Sequence, residues 1–330
     1  MTSRIRRREF ITLLGSTATA WPFPARAQQP AMPVIGFLHL FSPTAIASGL
    51  AAFRNGLSQA GYIEGRNLRI EFRSAENQSD RLPVLAADLV RAHVTVLYAG
   101  SAPAALAAKS ATTTIPIVFA MGEDPVKEGV VSQLNRPGGN VTGFIDFGNQ
   151  VFGKRLGLLH EIVPKTAPFA LLVNPNNANA EPDVKEAQVA ANALRRDLKV
   201  FRARTEAELD TAFAAIDQQR LGALIVGVDG FFFERREQIT TLAARYAIPT
   251  VYERREYVAA GGLISYGSDR LEMNRLAGTY VGRILKGEKP ADLPVQQSTK
   301  FILILNLKTA RALGVDIPPS ILAIADEVIE

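Results

Sequence analysis

From residue 33 onward, short apolar runs alternate with amphipathic segments of helical period, which is typical of parallel sheets covered by helices on both faces. In the first unit, the apolar run at residues 34–40 predicts a strand. Residues 44–60 then predict a helix with Phe53 on its apolar stripe. Gly61 follows at the position where a left-handed residue commonly ends a helix, so the unit has a defined beginning and end.

The same alternation runs through two similar halves. In the first half, further strands are predicted at residues 68–73, 94–98, 117–120 and 141–144, with a helix at 80–92. In the second half, a helix at 152–162 precedes strands at 169–173, 199–202, 223–226 and 250–252, with another helix at 182–197. The pattern predicts an α/β fold of two doubly wound parallel-sheet lobes with a ligand cleft and a hinge between them.

A short echo between the halves supports a duplicated architecture. Ile115 and Pro116 enter a predicted buried strand in the first half, and Ile248 and Pro249 enter one in the second. Each pair follows a buried strand and a helix. Because ligands of doubly wound sheets bind at the carboxyl ends of the strands, we expect the site in the cleft between the lobes.

The N-terminal segment has the order of an export signal. Arg7 and Arg8 precede an apolar stretch at residues 11–21, which is too short for a membrane span, and an Ala-Arg-Ala triplet at 25–27. We therefore expect residues 1–27 to be a cleavable twin-arginine-type signal peptide and the mature chain to reach the periplasm. A disordered basic arm is the alternative interpretation.

Charge and residue counts exclude several functions. The chain carries a formal charge of +5, but residues 1–27 hold five Arg and one Glu, which leaves +1 for the rest and no basic stripe for nucleic acid. The absence of Cys excludes disulfides, thiolate metal sites and Cys nucleophiles. His39, His93 and His160 lack metal-ligand spacing. We therefore expect no metal, no cofactor and no enzymatic activity.

Several short motifs together carry a family resemblance. They are Gly-Glu-Asp-Pro-Val at residues 122–126, Arg-Pro-Gly-Gly-Asn-Val-Thr-Gly at 136–143, Gly-Gly-Leu-Ile-Ser-Tyr-Gly at 261–267, Asn-Leu-Lys-Thr-Ala at 306–310 and the closing Ala-Asp-Glu-Val-Ile-Glu at 325–330. With them the chain resembles the substrate-binding proteins of ABC transporters, in the family that includes tryptophan- and tyrosine-binding members. Ile324 departs from the basic residue expected before the last motif.

The resemblance implies a periplasmic binding protein of type I with three crossings between its lobes. The first lobe would comprise residues 28–145 and 268–292, and the second 146–267 and 293–330. The implied function is capture of a small organic ligand, amino-acid-like or aromatic, by hinge closure. The implied partners are ABC permease membrane subunits with a cytoplasmic ATPase, and the protein itself would be a monomer. A ligand-sensing receptor subunit and an exported enzyme are the alternatives.

Candidate ligand residues in the first lobe follow predicted strands. Ser42 and Ser101 each stand before a helix, where backbone N–H groups favour an anion such as a ligand carboxylate. Each hydroxyl could instead cap its own helix. Asp124 follows the strand at residues 117–120, where its carboxylate could receive a ligand ammonium group or hold its own turn.

Candidates in the second lobe include a stronger charge partner. Asp229 lies at the carboxyl end of a buried strand between two Gly residues, which favours contact with a ligand cation. Asn174 and Asn177 could bind a zwitterion or hold their own turn. Tyr252 and Tyr266 are candidate aromatic contacts, Tyr266 either on the ligand or as a hinge wedge. The three consecutive Phe residues at 231–233 cannot all be core, because neighbouring residues face different directions.

Overall fold

The computed structural model describes residues 32–146, 151–164 and 167–330, so the predicted signal peptide at residues 1–27 lies outside the described residues. The strands of this part are β1 (Val34–His39), β2 (Arg69–Ser74), β3 (Val96–Ala99), β4 (Ile117–Met121), β5 (Val141–Ile145), β6 (Phe169–Val173), β7 (Leu198–Arg202), β8 (Ala223–Val226), β9 (Thr250–Tyr252), β10 (Ile264–Ser268), β11 (Gln296–Gln297), β12 (Phe301–Asn306) and β13 (Glu327–Ile329).

Helices connect most of these strands. They are α1 (Ala47–Gln59), α2 (Leu82–Arg91), α3 (Ala102–Ala111), α4 (Phe152–Ile162), α5 (Ala180–Ala193), α6 (Glu206–Gln218), α7 (Gly230–Glu234), α8 (Arg236–Arg245), α9 (Arg255–Ala259), α10 (Arg270–Leu285), α11 (Leu307–Leu313) and α12 (Pro319–Leu322). Short 3₁₀ turns cover Ser79–Arg81 and Pro290–Asp292. No helix among the described residues is both long and apolar enough to cross a membrane.

The first lobe contains a six-stranded sheet in the order β11-β5-β4-β3-β1-β2, and its strand pairs are parallel. Alternate residues of β1, β3, β4 and β5 enter two separate cores. Phe37 and Tyr98 pack with α1 and α10 on one face, while Leu38 and Leu97 pack with α2 and α3 on the other. The lobe is therefore doubly wound, as the sequence pattern predicts.

Helix α10 belongs to the first lobe through a close contact with α1. A Cβ atom on Gly56 would lie 1.8 Å from the Arg275 carbonyl oxygen, and one on Gly278 would lie 2.1 Å from the Phe53 carbonyl oxygen. Only Gly at these two positions lets the two helix backbones touch. This contact fixes the N-terminal end of α10, which begins at Arg270.

The second lobe contains a seven-stranded sheet in the order β13-β12-β10-β9-β8-β6-β7. Its strands run parallel except that β10 pairs antiparallel with β12. The predicted parallel-sheet lobe is therefore confirmed, and the antiparallel β10–β12 pair near its edge is a detail that the sequence pattern did not reveal. Strand β12 enters the sheet directly from a crossing between the lobes, without the crossover helix that returns a chain to a parallel position.

The last crossing lies later in the chain than residues 292 and 293, where the sequence placed it. Gln296 and Gln297 pair with β5 of the first lobe, and the Val295 N–H donates to the Leu134 carbonyl at 2.7 Å. Residues 293–297 therefore extend the first sheet, and the chain crosses at residues 298–300. Strand β11, with only two residues, is too short and too polar to be recognised from its sequence pattern.

Hydrogen bonds join the crossing segments to one another. The Asp269 N–H donates to the Lys300 carbonyl at 3.0 Å, and the Lys300 ammonium group lies 3.1 Å from the Asp269 carboxylate. The Ser298 N–H donates to the Ile145 carbonyl at 2.8 Å. The crossings therefore form one connected unit at the base of the cleft.

Candidate ligand-binding site

A cavity of about 670 Å³ opens between the lobes at the carboxyl ends of the strands of both sheets. The first lobe contributes the segments that follow β1, β3 and β4, and the second lobe contributes those that follow β6, β8 and β9. Asp146 and Arg270 line the cavity from the crossing segments. This is the place at which doubly wound sheets bind ligands.

Three of the predicted residues form one side of the cavity, which we call the lobe 2 wall: Asn174, Asn177 and Asp229. The amide nitrogens of Asn174 and Asn177 donate to opposite oxygens of Asp229 at 3.1 and 3.0 Å. Oxygen Oδ1 of Asp229 also accepts the Phe232 N–H at 3.1 Å, which caps α7. The structure thus brings these residues together and already gives the Asp229 carboxylate three donors.

The amide oxygens of the wall hold the loop after β6. The Asn174 oxygen accepts the Asn176 N–H at 3.0 Å, and the Asn177 oxygen accepts the Asn179 N–H at 2.9 Å. Each Asn therefore uses its oxygen for the turn and its nitrogen for Asp229. The turn interpretation of this loop is therefore observed, and contact of either Asn with a ligand stays a prediction.

The three consecutive Phe residues divide as the sequence predicts. Phe232 and Phe233 are buried, whereas Phe231 is partly exposed and lines the cavity. The short helix α7, which Asp229 caps, sets these directions.

Ser101 lies opposite the wall, at the start of α3. Its hydroxyl accepts the Ala104 N–H at 3.3 Å and so caps the helix, and the residue also lines the cavity. The helix N-terminus is therefore open to the cleft, although the Ser101 hydroxyl is engaged in the cap.

Ser42 and Asp124 lie outside the cavity lining. The Ser42 N–H and hydroxyl donate to the two carboxylate oxygens of Glu234 at 2.9 and 3.2 Å, so Ser42 bonds the other lobe. The Asp124 carboxylate accepts the N–H groups of Val126 and Lys127, which is the turn role. The segment of Asp124 nevertheless reaches the cavity through Gly122 and Glu123.

The two predicted Tyr contacts are corrected by the structure. Tyr252 is completely buried and stacks on Tyr257 with ring centroids 4.6 Å apart. Tyr266 packs against the core of the second lobe and stacks on Phe301 at 5.8 Å. Both lie inside strands, β9 and β10, whose side chains enter the packed faces of the sheet, so neither ring lines the cavity.

Sequence reasoning missed a charged cluster at the base of the cavity. We call it the cleft floor: Glu123, Asp146, Arg254 and Arg270. The guanidinium of Arg270 lies 2.8 Å from the buried carboxylate of Asp146. Arg254 lies 3.3 Å from Glu253, and its guanidinium stands 4.3 Å from the Phe233 ring centroid and 5.8 Å from that of Phe41.

Burial and mutual attraction set the ionisation of the floor. Burial opposes the charge of Arg270, but attraction by Asp146 and Glu123 exceeds that cost and raises its pKa. Burial also raises the pKa of Glu123, although Arg270 counteracts it. Burial and the neighbouring Arg270 lower the pKa of Arg254. Of the two guanidinium groups, Arg254 is therefore the one whose charge a ligand anion would stabilise further, because it would offset the repulsion by Arg270.

A positional signal could have found the floor. Glu123, Asp146 and Arg254 each stand one or two residues beyond the end of a strand, and Arg270 stands two residues beyond β10. A similar position, three residues beyond β8, selected Asp229. Within the described ranges, no three His, Asp or Glu side chains are grouped as metal ligands.

Two α/β lobes joined by three crossings around a polar cleft define a solute-binding protein of the type I periplasmic fold. The family model for ABC transporter substrate binding proteins matches residues 34–329. The chain therefore belongs to the family of ABC transporter substrate binding proteins. Members of this family are solute-binding proteins rather than enzymes, work with ABC transporters and are usually extracellular or periplasmic.

Individual relatives support the same assignment. A tyrosine-binding protein of Clostridioides difficile (strain R20291) is 27% identical over 279 residues, covering 84% of this chain and 80% of that protein. An ABC domain from Streptococcus pneumonia in complex with L-Trp is 25% identical with a TM-score of 0.78. A ligand-free, open substrate binding protein with adhesive properties from Clostridium difficile is 26% identical with a TM-score of 0.67. Each structural match covers 90% of this chain and 99% of the other.

Proposed function

We propose that this protein captures an aromatic amino acid in the cleft and delivers it to an ABC permease. The observation that carries the proposal is that a carboxylate of the lobe 2 wall and two guanidinium groups of the cleft floor line the same cavity. Asp229 offers negative charge on one side, and Arg254 and Arg270 offer positive charge on the other. A zwitterion matches both, and tyrosine and tryptophan are named for two relatives.

The polar groups suggest an orientation for the ligand. Its carboxylate lies toward Arg254 and Arg270, where it offsets their mutual repulsion. Its ammonium group lies toward Asp229, because charge-assisted hydrogen bonds are the strongest that this wall can offer. Phe41 and Phe231 also line the cavity and supply apolar surface for an aromatic ring.

Contacts between the lobes support hinge closure as the capture step. Ser42 bonds Glu234, and the Ser48 hydroxyl donates to the Glu256 carboxylate at 3.0 Å. The rings of Phe41 and Phe233 approach to 5.4 Å between centroids. These contacts join the N-terminal end of α1 to α7 and α9, and a ligand that bridges wall and floor adds to them.

The remaining parts of the proposal extend the family's function to this chain. The permease works with a cytoplasmic ATPase, and the binding protein acts as a periplasmic monomer without enzymatic activity. Residues 1–27 are the twin-arginine-type signal that exports it. The order of basic, apolar and Ala-Arg-Ala segments in the sequence supports this part.

Fluorescence of the ligand itself tests the proposal. Trp21 is the only Trp of the chain, so the full chain carrying Trp21→Phe has no indole of its own. We expect the emission of added L-Trp to change saturably and L-Tyr to compete, while tryptamine, which lacks the carboxylate, competes poorly. The proposal would be overturned if L-Trp emission showed no saturable change and L-Tyr gave no heat of binding in calorimetry.

Neighbouring Arg residues provide a matched pair of variants. Arg254→Met removes a floor guanidinium and should abolish L-Trp binding. Arg255→Met changes the next residue, whose guanidinium lies 3.0 Å from the Glu327 carboxylate. Arg255 does not line the cavity, so this variant should leave binding unchanged. Equal effects of the two variants would remove Arg254 from the site.

A further inference from the structure

A second, smaller pocket lies behind the cleft floor, between the first sheet and helices α1 and α10. We call it the inner pocket. Gly100, Ala120, Arg254 and Arg270 line both this pocket and the main cavity, so the two adjoin. Its volume is about 40 Å³. A cavity that holds benzene measures about 150 Å³ and a water molecule occupies about 30 Å³ in the liquid, so the pocket admits a small polar group but no aromatic ring.

His39 directs a hydrogen-bond donor into the inner pocket. Its Nδ1 accepts the Phe41 N–H at 3.0 Å, which places the proton of the neutral ring on Nε2. Nε2 makes no hydrogen bond to any residue that the structure describes, although the side chain is only 8% exposed. A Cβ atom on Gly100 would lie 1.9 Å from Cδ2 and 2.5 Å from Nε2 of His39, so only Gly at this position lets the ring lie against the backbone at the edge of the pocket.

The charged groups around His39 keep it neutral. Burial, together with Arg254 and Arg270, lowers the pKa of His39 to about 3. The acidic group of the pocket is Glu256, and one of its oxygens already accepts the Ser48 hydroxyl at 3.0 Å. His39 is therefore a fixed neutral donor beside two cations.

The other polar side chains of the pocket are already engaged. The Tyr98 hydroxyl donates to the Asn274 oxygen at 2.6 Å, and the Asn274 amide donates to the Arg270 carbonyl at 2.7 Å. The donors left for an occupant are His39 Nε2–H and the N–H groups of Arg254 and Arg270. Such a set favours an acceptor that carries negative charge.

We propose that the inner pocket binds the carboxylate of the captured ligand, with His39 Nε2–H donating to one of its oxygens beside Arg254 and Arg270. A carboxylate matches the pocket in size and charge. The α- and β-carbons that connect it to the aromatic ring let the ring remain in the main cavity. The inference rests on the proposed function, because it assigns one part of an amino acid to one part of the site.

A small anion tests the pocket independently of the amino acid. The chain has three His residues, so ¹⁵N-labelled histidine gives three imidazole signals, and His39→Asn identifies the one of interest. We expect acetate to shift the His39 Nε2–H signal saturably and methylammonium to leave it in place. No shift with acetate, or a shift with methylammonium alone, would overturn the proposal.

Two substitutions of His39 separate its donor from its structural role. Asn places its oxygen near the Nδ1 position and keeps the bond to Phe41 but lacks the Nε2 donor, whereas Gln places its nitrogen near the Nε2 position. We expect His39→Asn to weaken L-Trp binding about tenfold to a hundredfold, and His39→Gln to retain most of the affinity. Binding of L-tryptophanamide, whose carbonyl is a neutral and weaker acceptor, should weaken less than binding of L-Trp in His39→Asn.

The outcomes distinguish the inference from the function on which it rests. Loss of L-Trp and L-tryptophanamide binding to the same extent in His39→Asn would show a structural role and overturn the carboxylate assignment. An acetate shift in a protein that binds no amino acid would keep the pocket and refute the proposed ligand. Binding of L-Trp without any acetate shift would do the reverse.

Discussion

The lobe 2 wall and the cleft floor are both polar, yet they are built differently. In the wall, Asn174 and Asn177 donate to Asp229, so each polar group has a partner within the same lobe. In the floor, Arg270 begins the helix that packs on the first lobe, Asp146 lies in the first crossing, and Arg254 follows a strand of the second lobe. The wall is therefore complete in one lobe, whereas the floor depends on both.

This difference has a consequence for ligand binding. A wall held by its own hydrogen bonds is preorganised, and it presents the Asp229 charge without having to move. The floor gathers two guanidinium groups whose repulsion an incoming anion can reduce. We therefore expect substitutions in the floor to lower stability and the affinity for every carboxylate ligand, and substitutions in the wall to weaken only ligands that carry an ammonium group.

Arg270→Met should have the largest effect. It removes the guanidinium that lies 2.8 Å from the buried Asp146 carboxylate, so we expect the free energy of unfolding to fall by about 3 to 4 kcal/mol. Urea unfolding measures this change, and L-Trp binding should also be lost. The double variant Asp146→Asn, Arg270→Met should recover much of the stability but not the binding. Full stability in the single variant would contradict our view of the floor.

Acid should destabilise the folded protein through His39, which lies behind the cleft floor. Its pKa is about 3 in the folded protein and about 6.5 when unfolded, so the unfolded chain binds the proton first as the pH falls. The stabilising contribution is complete above pH 6.5 and is lost toward pH 3, by about 3 kcal/mol between pH 7 and pH 4.

Comparison with His39→Asn isolates this contribution. Buried Glu123 and Glu253 have raised pKa values and act in the opposite direction in both proteins. Urea unfolding of the variant across the same range should therefore show a smaller loss on acidification than the natural chain. Parallel curves for the two proteins would mean that His39 accepts a proton freely in the folded state.

The alternation of apolar runs predicted the lobes well because each strand and helix carries its own period. The run at residues 117–120 became a strand of the first sheet, and those at 169–173 and 223–226 became strands of the second. By contrast, the two polar residues of β11 carry no such period. Their place beside β5 follows from where the chain crosses between lobes, which no local pattern encodes.

The site was predicted in part for a related reason. Of the residues predicted at positions after strands, Asn174, Asn177, Ser101 and Asp229 line the cavity, and their contact with a ligand stays a prediction. Sequence could not tell whether a polar group would meet a ligand or its own backbone. Ser42 bonds Glu234, 192 positions along the chain, a partner that only the packing of the lobes supplies.

Asp229→Asn should change affinity more selectively than the floor variants. The new amide nitrogen would face a donor of Asn174 or Asn177, so we expect a loss of about 1 to 2 kcal/mol in the free energy of unfolding. Binding of L-Trp should weaken, whereas binding of indole-3-propionate, which lacks the ammonium group, should not. Calorimetry with both ligands measures the difference. Equal weakening would assign Asp229 to the scaffold of the wall alone.

Ser42→Ala should have the smallest effect and tests the contact between lobes rather than the ligand contacts. The variant loses the hydroxyl bond to Glu234 but keeps the backbone N–H bond. The free energy that favours the closed arrangement of the lobes should therefore fall by about 0.5 kcal/mol. In stopped-flow experiments we expect L-Trp to dissociate about twofold faster with an unchanged association rate. Ser58→Ala, on the exposed side of α1, is the control. A slower association rate instead would place Ser42 on the path by which the ligand enters.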